Sequence, residues 1–147
     1  MSSEIRFYSV TDEYGELSNF APFPISIHGA RWATVEHYFQ AQKLVDAKDR
    51  QDARRAKTPM IAARIGRDRS RKIRRDWESV QVSIMREAVE AKFRQYADLR
   101  ALLLATGDSR LVEHTENDSY WGDGGDGSGQ NMLGRILMDV RAKLASE

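Results

Sequence analysis

Ser79-Val-Gln-Val-Ser-Ile-Met-Arg-Glu-Ala-Val-Glu-Ala-Lys-Phe-Arg-Gln-Tyr96 is the stretch on which the fold turns. Val80, Ile84 and Ala88, flanked by Met85, Val89, Lys92, Phe93 and Tyr96, recur at the period of a helix with one buried face. Working outward, a further helix over Leu99–Ala105 stops at Gly107. Upstream, residues 48–76 read as two charged helical pieces separated near Thr58-Pro59, where proline suits a helix start. Thr34 offers an N-cap for a helix running to about Asp46, and the last helix covers Leu133 to Leu144. Strands are few and short. Ile5 to Val10 reads as one, Ile25-Ser-Ile-His-Gly29 as a hairpin arm leading toward Trp32, and Leu111-Val-Glu113 as another. Leu17 to Pro24 is a loop, because Pro22 and Pro24 deny both helix and ladder. The expectation is one α+β domain over residues 1–147, predominantly helical, with a few short strands.

At 147 residues the chain is long enough to bury a real core. Its net charge of +1 gives no bulk argument for nucleic acid, but the charges are unevenly distributed. Lys48 to Arg75 holds twelve Lys/Arg against three Asp, whereas Asp108 to Asn131 holds six Asp/Glu against one Arg. Solvated faces of opposite sign would explain this; so would an anion site on one segment and acid–base chemistry on the other. There is no cysteine, hence no disulfide, thiolate nucleophile or thiolate metal site. His28, His37 and His114 lack metal-ligand spacing. No leader-like or membrane-length apolar run is present, so a cytoplasmic protein without a membrane partner is expected.

Three constellations carry possible chemistry. In Glu36-His-Tyr-Phe-Gln-Ala-Gln-Lys43, positions 36, 40 and 43 share one helix face. A solvent-facing Glu/Lys pair is the ordinary outcome of that spacing, worth about 0.3–0.5 kcal/mol. Bulky Tyr38 and Phe39 leave little of this helix for water, which points Glu36 toward a cleft. The second is the glycine-rich loop from Asn117 to Asn131, with Asp118, Trp121, Gly122, Gln130 and Asn131. Asn-Asp before glycine is ordinary turn chemistry, yet a carboxylate beside an indole also suits a stacked ligand. Asp-Gly-Gly-Asp-Gly lacks the ligand spacing and terminal Glu of an EF-hand. The third is Trp77 with the arginines before it: core is the ordinary reading of the indole, and no single arginine stands out as a phosphate ligand. Ser18-Asn19 suits a turn or a substrate hydroxyl. His37 and His114 read as packing or supporting residues.

Leu17-Ser-Asn-Phe20, Trp32-Ala-Thr-Val-Glu-His-Tyr-Phe-Gln-Ala-Gln-Lys43, Asp76-Trp77, Lys92-Phe93, Leu103-Leu-Ala-Thr-Gly107, Leu111-Val-Glu113, Asn117-Asp-Ser-Tyr-Trp-Gly122 and Gly129-Gln-Asn-Met-Leu-Gly-Arg-Ile-Leu-Met138 occur in that order. Together they resemble the YbiA-like, or NADAR, family of N-glycosidases, from Phe7 to about Leu144. The chain departs from the family at Leu44, where many relatives have an aromatic, and across residues 46–72.

The resemblance implies a YbiA-like single domain that hydrolyses an N-glycosidic bond. The implied substrate is a small ribosylaminopyrimidine 5′-phosphate of early riboflavin synthesis, with ribose 5-phosphate as product. The alternatives are removal of ADP-ribose from guanine in DNA, and an ADP-ribose or nucleotide-binding module without turnover. Weight falls on Glu36 and Asp118 as catalytic carboxylates and on Trp77 and Trp121. Ser18, Asn19, Gln40, Lys43, Gly122, Gln130 and Asn131 are the further substrate-binding candidates. Rupture of a ribosyl C–N bond builds positive charge on the sugar. One carboxylate can stabilise that charge or align water while the other moves a proton. Proton transfer is assigned to Glu36 and the cation or water role to Asp118, with the converse open. No metal or organic cofactor is required.

Overall fold

The computed structural model describes residues 3–147 and is α+β and predominantly helical. The chain divides into a continuous unit, Pro22–Lys92, and a discontinuous one made of the stretch to Ala21 together with Phe93–Glu147.

The continuous unit opens with a hairpin in which β2 (Ile25–Ile27) pairs antiparallel with β3 (Ala30–Trp32). The turn residues His28 and Gly29 have φ of 52° and 78°, the left-handed pair that tight hairpins favour. Helix α1 (Val35–Lys43) starts where Thr34 caps it, the Thr34 hydroxyl accepting from the His37 N–H at 3.2 Å. Two contacts end it sooner than the expected Asp46. The Lys43 carbonyl accepts from Arg74 N at 3.0 Å, and Val45 N donates to the Lys72 carbonyl at 3.1 Å. Leu44, thus held opposite Ile73, is extended.

Helices α2 (Ala47–Arg54) and α3 (Pro59–Arg67) pack against α1. They divide near Thr58-Pro59 as expected, with the Thr58 hydroxyl accepting from Ile61 N at 3.1 Å. Residues 68–76 are not helical: Asp68 turns the chain by accepting from Ser70 N at 3.0 Å. Helix α4 (Trp77–Gln95) follows. The Tyr38 hydroxyl on α1 donates to the Glu87 carboxylate on α4, and burial with that partner pushes the phenol's pKa upward. Val35, Phe39, Ala41, Leu44, Ala62 and Met85 are among this unit's buried core.

In the discontinuous unit, β1 (Glu4–Phe7) and β4 (Arg110–Glu113) pair in parallel, Glu4 opposite Arg110. The strand stops short of the expected Val10 because the Ser9 carbonyl turns to accept from Asp12 N at 3.1 Å. Helix α5 (Ala97–Ala105) leads to Gly107, φ 64°. Helix α6 (Met132–Ala145) lies on β4, with Leu133, Ile136, Leu137, Val140 and Leu144 buried beside Leu111 and Val112. Among the described residues no helix is long and apolar enough to cross a membrane.

Candidate active site

Helix α1 carries the first half of the predicted residues. Glu36 sits in its first turn, where the helix dipole favours a negative charge. The residue is 8% exposed, and its Oε2 accepts from Gln40 Nε2 at 2.8 Å. Gln40, one turn on, is itself buried, and its Oε1 has no hydrogen-bond partner. An unsatisfied buried acceptor costs about 1–3 kcal/mol, so something else fixes this carboxamide. That something is Gly66 on α3: a Cβ there would collide with Gln40 Oε1 and with the carboxamide carbon at 2.7 Å. The absent side chain leaves the notch that the carboxamide fills.

Lys43, half-buried at the end of α1, completes the face. Burial pushes its ammonium pKa down, the like charge of Arg67 pushes the same way, and the charge of Glu36 pulls it partly back. Neither Lys43 nor Arg67 is in an ion pair among the described residues. Other arginines of the basic stretch are committed locally. Arg71 bonds Asp49 at 2.9 Å, Asp52 at 2.8 Å and Asp68 at 3.2 Å, and Arg74 bonds Asp76 at 2.6 and 3.0 Å. Trp77 is 9% exposed, its ring 4.9 Å from that of Phe39 and inclined at 53°. Its indole is mainly a packing surface here. His37 is fully engaged, Nδ1 at 2.8 Å from the Thr34 hydroxyl and Nε2 at 2.9 Å from the Ala56 carbonyl. It supports the start of α1, as expected.

The other predicted residues lie in the discontinuous unit. Asp118 Oδ1 accepts from the N–H groups of Tyr120 at 2.9 Å and Trp121 at 2.8 Å, an Asx turn that orients its carboxylate. Trp121 is half-buried and meets Tyr120 edge-on at 5.1 Å. Gly122 is required by close approach, since a Cβ would stand 2.9 Å from both the Glu113 and Asp118 carbonyl oxygens. Gln130 is exposed. Asn131, 2% exposed with φ 50°, is bound to β4: Nδ2 donates to the Leu111 carbonyl at 2.9 Å and Oδ1 accepts from Glu113 N at 3.0 Å. Its carboxamide ties the loop to the strand. Ser18 is buried and its hydroxyl accepts from Phe20 N at 3.1 Å; Asn19 beside it is half-buried.

Asp123 was not singled out by sequence reasoning, yet it organises the loop. Burial alone would raise its pKa. The His114 ring at 2.8 Å and the N–H groups of Gly125 at 2.8 Å and Thr115 at 3.0 Å outweigh that and bring it down to about 2. Arg67 and Gly66 were likewise missed. Arg67 was one cation among twelve, but a glycine inside a helical pattern costs about 1 kcal/mol and asks for a packing reason. Among the described residues no group of three or more His, Cys, Asp or Glu could hold a metal ion.

Comparison with known proteins adds to this geometry. The NADAR domain matches residues 6–145. The N-glycosidase YbiA of Escherichia coli (strain K12) is 59% identical over 143 residues, 97% of this chain and 89% of that protein. The NMR structure of E. coli YbiA superposes with a TM-score of 0.92 at 58% identity, covering 99% of this chain and 88% of that one. The riboflavin biosynthesis protein VVA0006 of Vibrio vulnificus (strain YJ016) is 44% identical over 144 residues, 98% of this chain and 39% of that longer protein.

Proposed function

The chain belongs to the NADAR domain family and is an N-glycosidase, and from that premise we propose that it hydrolyses a ribosylaminopyrimidine 5′-phosphate at the ribosyl C–N bond, releasing ribose 5-phosphate. The name of the Vibrio relative, a riboflavin biosynthesis protein, supports an intermediate of that pathway as substrate. The observation that carries the reading is the face of α1, where a buried carboxylate, Glu36, precedes a half-buried Lys43 whose neighbour in charge is Arg67.

Hydrolysis adds water across the C1′–N bond: hydroxyl goes to C1′ and a proton to the departing nitrogen. The sugar is cationic at the transition state. Glu36 is assigned the proton transfer: as a carboxylate it takes a proton from the attacking water and passes it to the departing nitrogen, and its low exposure strengthens any charge interaction it makes with the ribosyl centre. Asp118 is assigned the second carboxylate role, stabilising the cation or aligning water, with its orientation fixed by two N–H donors. Lys43 and Arg67 are the proposed 5′-phosphate ligands. Two neighbouring cations without ion-pair partners repel until an anion joins them, and a phosphate so held contributes binding energy remote from the bond that breaks.

The test is a parallel assay of purified protein on ribosylaminopyrimidine 5′-phosphate, on the same compound without phosphate, and on DNA bearing ADP-ribosylated guanine. Ribose 5-phosphate and free base are measured as products. The expected result is fast turnover of the first alone. Equal efficiency with and without phosphate would remove Lys43 and Arg67 from the reading, and turnover of the modified DNA alone would replace the substrate.

A further inference from the structure

The orphaned Oε1 of Gln40 and the notch of Gly66 describe one device. A carboxamide has two ends, and the buried environment distinguishes them. Its donor end faces Glu36 Oε2 at 2.8 Å, while its acceptor end is pressed into the space that a side chain at position 66 would occupy. Reversing the amide would aim a carbonyl oxygen at a carboxylate, so the observed orientation is the one that matches an ionised Glu36. A substrate ligand would leave its polar atoms open to the ligand. The donor end of this carboxamide is instead taken by Glu36, and Oε1 is sealed from solvent.

We propose that Gln40 is a positioning residue for Glu36: wedged by Gly66, it donates to Oε2, aims the carboxylate and holds it in its charged form. This rests on the catalytic reading of Glu36 given above. Gln40 acts alongside the other charged groups of the unit; on α4 these include the buried Lys92 and Glu87, which accepts from the Tyr38 hydroxyl. On α1, Lys43 attracts Glu36 from two turns away, and His37 is bonded to Thr34 and Ala56. From α3, Arg67 lies by Lys43 and Arg64 is exposed. On α2, Lys48 and Asp52 bond each other, Asp49 bonds Arg71, Arg50 bonds Gln42, Arg54 bonds the Arg31 carbonyl, and Arg55 is exposed. Arg31 on β3 is exposed.

The experiment is a carboxyl carbon-13 NMR titration of Glu36, with the pH profile of kcat/KM, in wild type, Gln40→Met and Gly66→Ala. Gln40→Met keeps the volume and removes the donor. The expected result is that the Glu36 midpoint rises by about one pH unit. The limb of the profile that Glu36 governs should move with it, with kcat reduced about tenfold and KM little changed. Gly66→Ala, whose methyl group pushes the carboxamide off its seat, should move the midpoint in the same direction, and it serves if Gln40→Met does not fold. A folded variant of either kind with an unmoved Glu36 midpoint overturns the proposal. Failure of the premise reads differently: full activity in Glu36→Gln removes Glu36 from catalysis, while the NMR midpoint still reports whether Gln40 holds its charge.

Discussion

Glu36 is the buried carboxylate of α1, and at 8% exposure it is retained at a desolvation cost that its surroundings must offset. Replacement by Gln keeps the shape and the helix and removes the ionisable proton. Turnover of Glu36→Gln should fall by about 100-fold or more with an unchanged melting temperature, the scale for losing an acid–base group. Asp118→Asn is expected to lose as much turnover, measured in the same assay; near-normal rates in both would end the two-carboxylate mechanism. The indoles separate differently. Trp77 is packed on Phe39, so Trp77→Ala should cost about 3–5 kcal/mol of stability by thermal or denaturant unfolding. Trp121 is half-buried, and Trp121→Ala should instead weaken substrate binding by about 1–3 kcal/mol, read as a raised KM. At this scale the face of positions 36, 40 and 43 was legible because helical period alone brings them together. What Gln40 touches was not, because Gly66 comes from another helix and a missing side chain leaves no pattern of its own.

Among the elements, the loop between β4 and α6 is held by a buried charge. Asp123 has a folded-state pKa of about 2, below its ordinary carboxylate value, so it binds fewer protons folded than unfolded. Its contribution is therefore fully present above about pH 4 and is lost as pH falls through about 2. Asp123→Asn should destabilise the protein by about 1–3 kcal/mol near neutrality and flatten the decline of stability between about pH 4 and 2. Unfolding curves across that range check both parts. The starts of the helices were easy to read, since Thr34 and Thr58-Pro59 are local signals that act through bonds three residues away. The end of α1 was not. It is set by pairing with residues 72–74, a distant partner that no window around Asp46 contains. Asn131 shows the same limit: its sequence context reads as a ligand-facing amide, whereas its carboxamide closes the loop onto β4.

At the scale of the whole molecule, the predominance of helix over strand follows from helical periodicity such as that along Ser79–Tyr96, and the family motifs pointed to the kind of reaction. The parallel partnership of β1 with β4 followed from neither, because two short strands more than a hundred positions apart carry no mark of each other. Phe7 is 2% exposed and Leu111 fully buried in that pairing. Removing the chain through Phe7 should cost about 3–5 kcal/mol, read as a lower denaturation midpoint. The same pairing has a consequence in time. Within this domain strand β1 is synthesised before its partner, and Arg110, which pairs with Glu4, is made 106 residues later. At roughly 5–20 residues per second, β1 waits about 5–20 s unpaired while the continuous unit is synthesised. This strand is thus among the last elements of the domain to find its place, and for those seconds its unpaired edge, with Ile5 and Phe7, is open to chaperones and to other chains.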